Sequence, residues 1–233
     1  MIRTSTAAAV IGLGAIASVA GVASASPAGP VPTFTFTSHL EALLPAAGKL
    51  TRITGADSPM QVLASEADLV EGTANVAPAE CAAAFEPARR GAYADTGWTG
   101  ASMQVVADDT PSAAGHVVVQ AVVGFADRNA AMEVLNAAAR TWVRCGGETV
   151  GYTTGSGDVR RWQLGKPALR RDKTVLVQLQ TSRAGSCERA MTTADLGGAA
   201  LVADVMACDF GGGNPDGQAE AIAAAITANA ERA

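Results

Sequence analysis

Glutamines recur at the middle of several predicted strands, where polar side chains on a sheet can bind a polar ligand. In the strand near 116–125, His116 and Gln120 point away from the apolar side formed by Val117 to Phe125. An amide both donates and accepts hydrogen bonds, so such a surface suits a glycan, a peptide or another polar molecule. An ordinary solvated sheet face is the competing interpretation for any single residue. The candidate ligand-binding residues are Trp98, Gln104, His116, Gln120, Arg161, Gln163, Gln178 and Gln180.

The three tryptophans differ in their suitability for stacking on a ligand. Trp98 lies close to Gly97 and Gly100, which favours exposure, although a position at the edge of the core is the alternative. Trp142 lies on the apolar stripe of a predicted helix and Trp162 alternates with polar neighbours, so both are expected to point inward. Trp98 is therefore the candidate for stacking.

Signals for catalysis and metal binding are weak. The chain has two histidines, His39 and His116, and no Gly-x-Ser-x-Gly motif, and Gly155-Ser156-Gly157 is typical of a turn. Asp108-Asp109 is more typical of a solvated turn than of a calcium site. We therefore predict no catalytic residue, no metal site, no cofactor and no enzymatic activity. The alternative is a hydrolase, which requires His116 or a carboxylate pair beside a nucleophile or a water.

The N-terminus has the pattern of an export signal. Arg3 precedes an apolar run over 7–22, which is shorter than the ~20 residues that a spanning helix needs. Ala23-Ser24-Ala25 resembles a cleavage site. We predict a signal peptide at 1–25, a Pro-rich linker at 26–37 and one domain at 38–233. The predicted location is secreted or extracytoplasmic in the cell envelope, without stable membrane insertion.

The charge distribution excludes one class of partner. The net charge is −5 and the charged residues are scattered along the chain. Nucleic-acid-binding domains usually carry a basic patch, so we expect no nucleic-acid partner.

Four cysteines in an exported chain predict disulfides, and four allow three connectivities. If Gly197-Gly198 is a two-residue hairpin turn, Cys187 and Cys208 are equidistant from it and lie opposite each other. Counting outward by twos makes them a non-hydrogen-bonded pair, whose close Cα atoms suit a disulfide. One bulge would shift this register. The remaining pair, Cys81 and Cys145, would join two predicted helices.

Most of the predicted strands follow one another along the chain, with few helices between them. A short helix is expected from a Ser38 cap, another opens at Pro78, a third runs from an Asp127 cap to Cys145, and the last follows Gly211. Strands are predicted at 99–108, 116–125, 148–154, 159–165, 173–182, 187–195 and 200–208. Successive strands joined by short turns favour an α+β fold with an antiparallel sheet and helices packed on one face.

Several short segments carry a resemblance to a known family. They are Pro78–Cys81, Tyr93, Val117–Val123, Ala130-Ala131, Trp142–Cys145, Arg161–Gly165, Cys187 and Val202–Cys208. In this order they resemble the extracellular sensor domain of mycobacterial PknH-type serine/threonine kinases, a module also found in small actinobacterial lipoproteins. The resemblance runs from about residue 40 to the C-terminus. It implies a curved antiparallel sheet with helices on one side, the same two disulfides, and a ligand-binding cleft.

The function expected from these observations is that of an exported, non-enzymatic, ligand-binding or sensor-like domain. Its expected partner is an unidentified small molecule or cell-envelope component, with another envelope protein as a further possibility. The alternatives are a secreted hydrolase acting on envelope glycan or ester bonds, and a protein–protein interaction module that binds no small molecule.

Overall fold

The computed structural model describes residues 36–72, 75–109, 115–171 and 174–233. The predicted signal peptide at 1–25 and the predicted linker up to residue 35 lie outside these ranges. Within them, no helix is long and apolar enough to cross a membrane.

The described chain forms strands interspersed with six α-helices and one 3₁₀ helix, Ala79–Cys81. The strands are β1 (Gln61–Glu66), β2 (Val76–Ala77), β3 (Trp98–Ala107), β4 (His116–Phe125), β5 (Thr149–Thr153), β6 (Val159–Leu164), β7 (Ala168–Arg170), β8 (Val175–Ser182), β9 (Gly185–Leu196) and β10 (Ala199–Asp209). The helices are α1 (Phe36–Glu41), α2 (Ala47–Thr54), α3 (Ala82–Phe85), α4 (Arg90–Tyr93), α5 (Arg128–Cys145) and α6 (Gln218–Ala230).

The strands pair into one antiparallel sheet, which confirms the α+β class. The strand order is β1-β3-β4-β10-β9-β8-β6-β5-β2, and β7 pairs with β8 beside this path. The longest ladders join β4, β10 and β9 at the centre of the sheet. Side chains on these three strands are therefore the ones most enclosed by the rest of the fold.

The β9–β10 hairpin has the predicted register. Gly197 and Gly198 have φ values of 55° and 114°, a backbone region that favours glycine, and Leu196 pairs with Ala199 across them. The ladder continues without a register shift to Cys187 opposite Cys208. These two cysteines form a disulfide, and Cys81–Cys145 is the second. Both predicted pairings are confirmed.

Several short elements were not expected from the sequence. These are β1, β2, β7, α2 and α4, of which β1 is an edge strand with all six side chains exposed. An edge strand with no buried side lacks the apolar alternation that identifies a strand. The helix α5 is as predicted, with the Asp127 side chain accepting from the N–H of Ala130. The helix α1 begins at Phe36, before the expected Ser38 cap.

Helices cover both faces of the sheet, whereas the sequence pattern predicts them on one. On one face of the sheet, here called the disulfide face, α3, α4 and α5 pack in a core cluster that contains all four cysteines. On the opposite face, here called the α6 face, α1, α2 and α6 pack in a second cluster. In β10, Val202 lies on the first face and Leu201 on the second. Uninterrupted apolar runs such as Val117 to Val119 mark strands buried on both sides, and this signal outweighs simple alternation.

Candidate functional site

The predicted glutamine surface is divided between the two faces of the sheet. Gln104 and Gln120 are paired across β3 and β4 on the α6 face, with Val106 and Val122 beside them. Gln178 and Gln180 lie on the disulfide face with Leu176. The expectation of one outward-facing glutamine surface is therefore corrected, because helices cover the centre of the sheet on both sides.

The buried glutamines hold loops onto the sheet. The Gln120 Nε2 atom donates to the Pro45 carbonyl at 3.0 Å and to Gln104 Oε1 at 3.1 Å. On the other face, Gln180 Nε2 donates to the carbonyls of Ala84 at 3.1 Å and Phe85 at 3.0 Å. A long neutral amide can reach a loop carbonyl without burying a charge, which accounts for glutamine at these positions.

The Gln178 amide makes a contact of the same kind, with its Nε2 atom donating to the Gly165 carbonyl at 2.8 Å. This bond connects β8 to the residue that follows β6. Gln178 is 2% exposed, so a ligand reaches its amide only if the segment around Gly165 moves.

Five of the predicted ligand-binding residues retain access to solvent, which are Trp98, Gln104, His116, Arg161 and Gln163. Arg161 and Gln163 are exposed on β6, and the Gln163 Nε2 atom donates to the Gly147 carbonyl at 2.6 Å. Trp98 is half-buried, with the Arg90 guanidinium carbon 5.3 Å from its ring centroid. That cation–π contact occupies part of the ring that a ligand would stack on. Ligand binding by these residues stays a prediction.

His116 is held between two carboxylates at the edge of the α6 face. Its Nδ1 atom is 3.0 Å from Asp108 Oδ2, and its Nε2 atom is 3.6 Å from Asp209 Oδ2. Burial by itself would raise the pKa of Asp108, but hydrogen bonds from the His116 N–H and imidazole outweigh burial and lower this pKa. Both ring nitrogens therefore face carboxylates, whereas a hydrolytic base needs one nitrogen directed at a hydroxyl nucleophile or a water.

A cavity of about 430 Å³ opens on the disulfide face between α5 and the segment that contains α3 and α4. The rim is exposed and consists of Ala79, Glu80, Gly91 and Arg144. The walls are half-buried and consist of Ala83, Ala92, Ala137, Ala138 and Thr141. The floor is buried and consists of Arg89, Val134, Trp142 and Met191. This volume falls within the range usual for small-molecule sites.

The cavity exists because the facing side chains are small. Ala137 and Ala138 on α5 face Ala83 and Ala92 across the gap. Alanine ends at Cβ, so two alanine-lined walls leave a space that larger apolar side chains would fill. Trp142, one turn after Ala138, is wholly buried and closes the inner end.

A buried ion pair fixes the outer wall of the cavity to the sheet. Arg189 on β9 and Asp204 on β10 are paired, and their side chains are 0% and 2% exposed. The Asp204 Oδ2 atom accepts from the Ala88 N–H at 2.9 Å and from the Tyr93 hydroxyl at 3.0 Å. The Arg189 Nη1 atom donates to the Ala84 carbonyl at 3.4 Å. These bonds attach the α3–α4 segment to the centre of the sheet.

The Asp204 carboxylate also affects Tyr93. Burial and the adjacent negative charge of Asp204 raise the pKa of Tyr93 well above its ordinary value. Tyr93 is therefore a neutral hydrogen-bond donor at physiological pH. This keeps the contact between α4 and the sheet intact.

The disulfide Cys81–Cys145 joins the two walls of the cavity at one end. Cys81 ends the 3₁₀ helix that carries the rim residues Ala79 and Glu80. Cys145 is the last residue of α5, directly after Arg144. This bond and the Asp204 contacts act on the same segment, so both covalent and polar contacts fix the position of this wall.

The sequence did not predict the cavity, although it carries a signal for the ion pair that positions one wall. Arg189 and Asp204 are charged residues in otherwise apolar central strands, and a charge at such a position indicates a buried pair. The alanines of the walls give no comparable signal. Alanine is also the commonest filler of tight helix packing, so sequence alone does not distinguish a packed wall from an open one.

Comparison with known proteins gives the class first: a disulfide-bonded, extracytoplasmic α+β domain. The model of the family described as PknH-like extracellular domain matches residues 37–229, and the chain belongs to this family. The extracellular domain of PknH from Mycobacterium tuberculosis has a similar crystal structure, with a TM-score of 0.73 and 25% sequence identity. The match covers 84% of this chain and 97% of that one.

Two other comparisons do not bear on the fold or the function. A putative uncharacterized protein from Rhizobium leguminosarum is 14% identical, with a TM-score of 0.27 over 51% of this chain and 96% of its own. Comparison with curated protein sequences finds no significant match.

Proposed function

We propose that this protein is a non-enzymatic sensor-type domain that binds a small molecule or a component of the cell envelope. The proposed binding site is the cavity between α5 and the α3–α4 segment. The observation that carries the proposal is this cavity, whose two walls are joined by a disulfide and one of whose walls is attached to the sheet by a buried ion pair. Membership of an extracellular domain family is consistent with a ligand from outside the cytoplasm.

The cost of the Arg189–Asp204 pair supports a functional origin for this arrangement. A buried ion pair is often no more stabilising than apolar residues of the same size, because both charges lose their hydration. Here the pair and its partners position one wall of the cavity instead of filling the space. This desolvation of two charges is expected where the position of the wall itself matters for binding.

A hydrolase is less well supported by the described site. Both nitrogens of His116 face aspartates, and His116 lies on the α6 face, whereas the cavity lies on the disulfide face. Among the described residues that line the cavity, Glu80 at the exposed rim is the one carboxylate, and neither a histidine nor a second carboxylate accompanies it. Binding is therefore the function proposed for the cavity.

A thermal-shift experiment with the disulfide-bonded protein tests this proposal. A ligand that binds only the native state raises the melting temperature, so fractionated extracts of cell envelope are expected to stabilise the wild type. Ala137→Leu places a larger side chain in the cavity and is expected to abolish the shift. The matched control is Ala224→Leu, a half-buried alanine of α6 on the other face. If every fraction fails, or if Ala137→Leu keeps the full shift, the cavity is not the binding site.

A further inference from the structure

The mouth of the cavity carries one basic and one acidic side chain. Arg144 and Glu80 are both exposed, and both line the cavity. Each directly precedes a cysteine of the Cys81–Cys145 disulfide, whose Cα atoms are 5.7 Å apart. Because consecutive Cα atoms lie about 3.8 Å apart, the Cα atoms of Glu80 and Arg144 are within about 13 Å of each other. The disulfide therefore keeps two opposite charges at one mouth.

The charged end of Arg144 lies against the wall of the cavity. Its Nη2 atom donates to the hydroxyl of Thr141 at 3.3 Å, and Thr141 is a wall residue. Arg144 follows Thr141 by three positions and Ala137 by seven, so the three side chains share one side of α5. In the described part of the chain, Arg144 forms no ion pair and no other side-chain hydrogen bond. Most of the five guanidinium N–H donors are therefore available to an anionic group.

Glu80 makes the mouth unfavourable for a ligand that carries negative charge alone. Its carboxylate has neither a hydrogen-bond donor nor an ion-pair partner among the described residues. An exposed carboxylate repels an anion and attracts an ammonium group. A head group with one charge of each sign meets a complementary charge at both Glu80 and Arg144, whereas an ion of either sign meets one repulsive contact. The two rim charges therefore favour a head group that carries both signs.

Inside the mouth, the cavity offers an apolar lining and no free charge. The small and apolar side chains of its walls and floor are Ala83, Ala92, Ala137, Ala138, Val134 and Met191. The floor also contains Arg89, whose guanidinium is paired with the carboxylate of Glu86. Burying an apolar chain against this lining supplies the non-directional part of binding. The rim charges supply the selectivity, as is usual for a small-molecule site with few polar groups.

From these contacts, and resting on the proposed binding function, we propose that the ligand is a zwitterionic amphiphile. Its apolar chain lies in the cavity, its anionic group contacts Arg144 and its cationic group contacts Glu80. The phosphate and the quaternary ammonium of a phosphocholine head group have this arrangement of charges.

The test compares three probes that share a ten-carbon chain and differ in charge: decylphosphocholine, decyl sulfate and decyltrimethylammonium. Affinities for the full disulfide-bonded protein are measured by calorimetry below the micelle concentration of each probe. Low ionic strength is used because salt screens exposed charges. We expect decylphosphocholine to bind about two- to fivefold more tightly than either ion, the factor that one exposed ion pair usually gives. If either ion binds as tightly as decylphosphocholine, the inference is overturned.

Two variants of the rim assign the selectivity to individual charges. Arg144→Gln should weaken the binding of decylphosphocholine and of decyl sulfate by about two- to fivefold. Glu80→Gln should weaken decylphosphocholine by a similar factor and strengthen decyl sulfate, because it removes the repulsive carboxylate. Both residues are exposed, so both variants should stay folded.

The matched controls are Arg140→Gln and Glu133→Gln. They make the same two changes in net charge at exposed positions of α5 outside the cavity lining. Neither should alter the order of the three affinities. A rim variant that changes the affinities no more than its control contradicts the inference, because the effect would then come from net charge and not from the mouth.

The outcomes separate the inference from the proposed function. Stabilisation by envelope fractions that Ala137→Leu abolishes, together with no preference for decylphosphocholine, overturns the ligand class and leaves the cavity as a binding site. Absence of stabilisation by every fraction and every probe overturns the function. A preference for decylphosphocholine that both rim variants reduce, with binding that Ala137→Leu abolishes, supports both.

Discussion

The two faces of the sheet are packed in different ways. The buried cluster on the α6 face is built from leucine, isoleucine, valine, alanine and methionine. The cluster on the disulfide face contains all four cysteines and the buried aromatic residues Phe85, Tyr93, Phe125, Trp142 and Trp162. The disulfide face also contains the Arg189–Asp204 pair and the cavity.

Buried side-chain atoms without a partner in the described chain occur on both faces. On the disulfide face they belong to Trp142, Gln178, Gln180 and Arg189, and on the α6 face to Gln120 and Gln218. On the α6 face, the buried Glu188 carboxylate accepts the N–H groups of Gly217, Ala219 and Glu220 at the start of α6. It thereby satisfies donors that a helix N-terminus leaves unpaired. The α6 face therefore places its buried charge at a helix N-terminus, whereas the disulfide face pairs two buried charges with each other.

Under the proposed function, binding belongs to the disulfide face alone, whereas both faces contribute to stability. Both disulfides lie on the face that contains the cavity and the buried ion pair. We expect substitutions on the α6 face to change stability alone, and those on the disulfide face to change stability and binding together.

Removal of the disulfides should have the largest effect. In the loop-entropy treatment, Cys81→Ala with Cys145→Ala costs about 4 kcal/mol for a separation of 64 residues. Cys187→Ala with Cys208→Ala costs about 3 kcal/mol for a separation of 21. Urea denaturation measures both losses. Only the first pair joins the cavity walls, so only the first is expected to weaken binding under conditions where both variants remain folded.

Asp204→Leu should be next. It leaves the wholly buried Arg189 without its counter-ion and removes the acceptor for Ala88 and Tyr93, at an expected cost of about 3–5 kcal/mol. The double variant Arg189→Met with Asp204→Leu removes both charges and should be more stable than the single one. A double variant no more stable than Asp204→Leu would contradict this expectation, because the unpaired charge of Arg189 would then carry no penalty. Denaturation midpoints and slopes of the two variants decide this.

Ile226→Val tests the contribution of the α6 face. Ile226 is wholly buried on α6, and loss of one methylene should cost about 1 kcal/mol. Ligand affinity should stay at the wild-type value, since the α6 face contributes nothing to the cavity lining. A weaker affinity at equal folded fraction would indicate that the two faces are coupled through the sheet.

Acid should produce a smaller effect through Asp108. Its pKa is lower in the folded protein than in the unfolded chain, so its contribution to stability is present above the unfolded pKa and is lost as the pH falls through the folded pKa. Asp108→Asn should therefore reduce the loss of stability in acid, measured by denaturation at several pH values between neutrality and about pH 3.

Glu188 is expected to change the folding stability with pH in the opposite direction from Asp108. Burial raises its pKa in spite of the hydrogen bonds from the α6 N–H groups. Its contribution to stability is therefore present below the unfolded pKa and is lost as the pH rises through the folded pKa. An Asp108→Asn profile as steep as that of the wild type would contradict the assignment to Asp108.

Much of the fold was predictable because its strongest signals are local. The Asp127 cap, the apolar stripe that places Trp142 and Cys145 inward, and the Gly197-Gly198 turn each act within a few residues. The turn also set the long-range pairing of Cys187 with Cys208, since an antiparallel ladder without bulges counts outward evenly from its turn. The family resemblance, confirmed over residues 37–229, depended on the same landmarks.

The site was less predictable because it depends on which elements cover which face. Parity along β8 correctly placed Gln178 and Gln180 on the same side, but parity does not report whether a helix lies over that side. Because α5 and α6 cover opposite faces, Gln120 and Gln180 are buried and donate to loop carbonyls. The members of the predicted set that retain access to solvent are Trp98, Gln104, His116, Arg161 and Gln163.

The sequence by itself determined the antiparallel α+β fold, both disulfides and membership of an extracellular domain family, because turns, caps and periodicity act at short range. Only the tertiary structure decided that Arg189 and Asp204 would meet Tyr93, and that alanines from α5 and from the α3–α4 segment would face each other across a gap. No single residue in the sequence corresponds to a cavity. It results from the distance between two walls, and that distance is set by contacts made elsewhere in the fold.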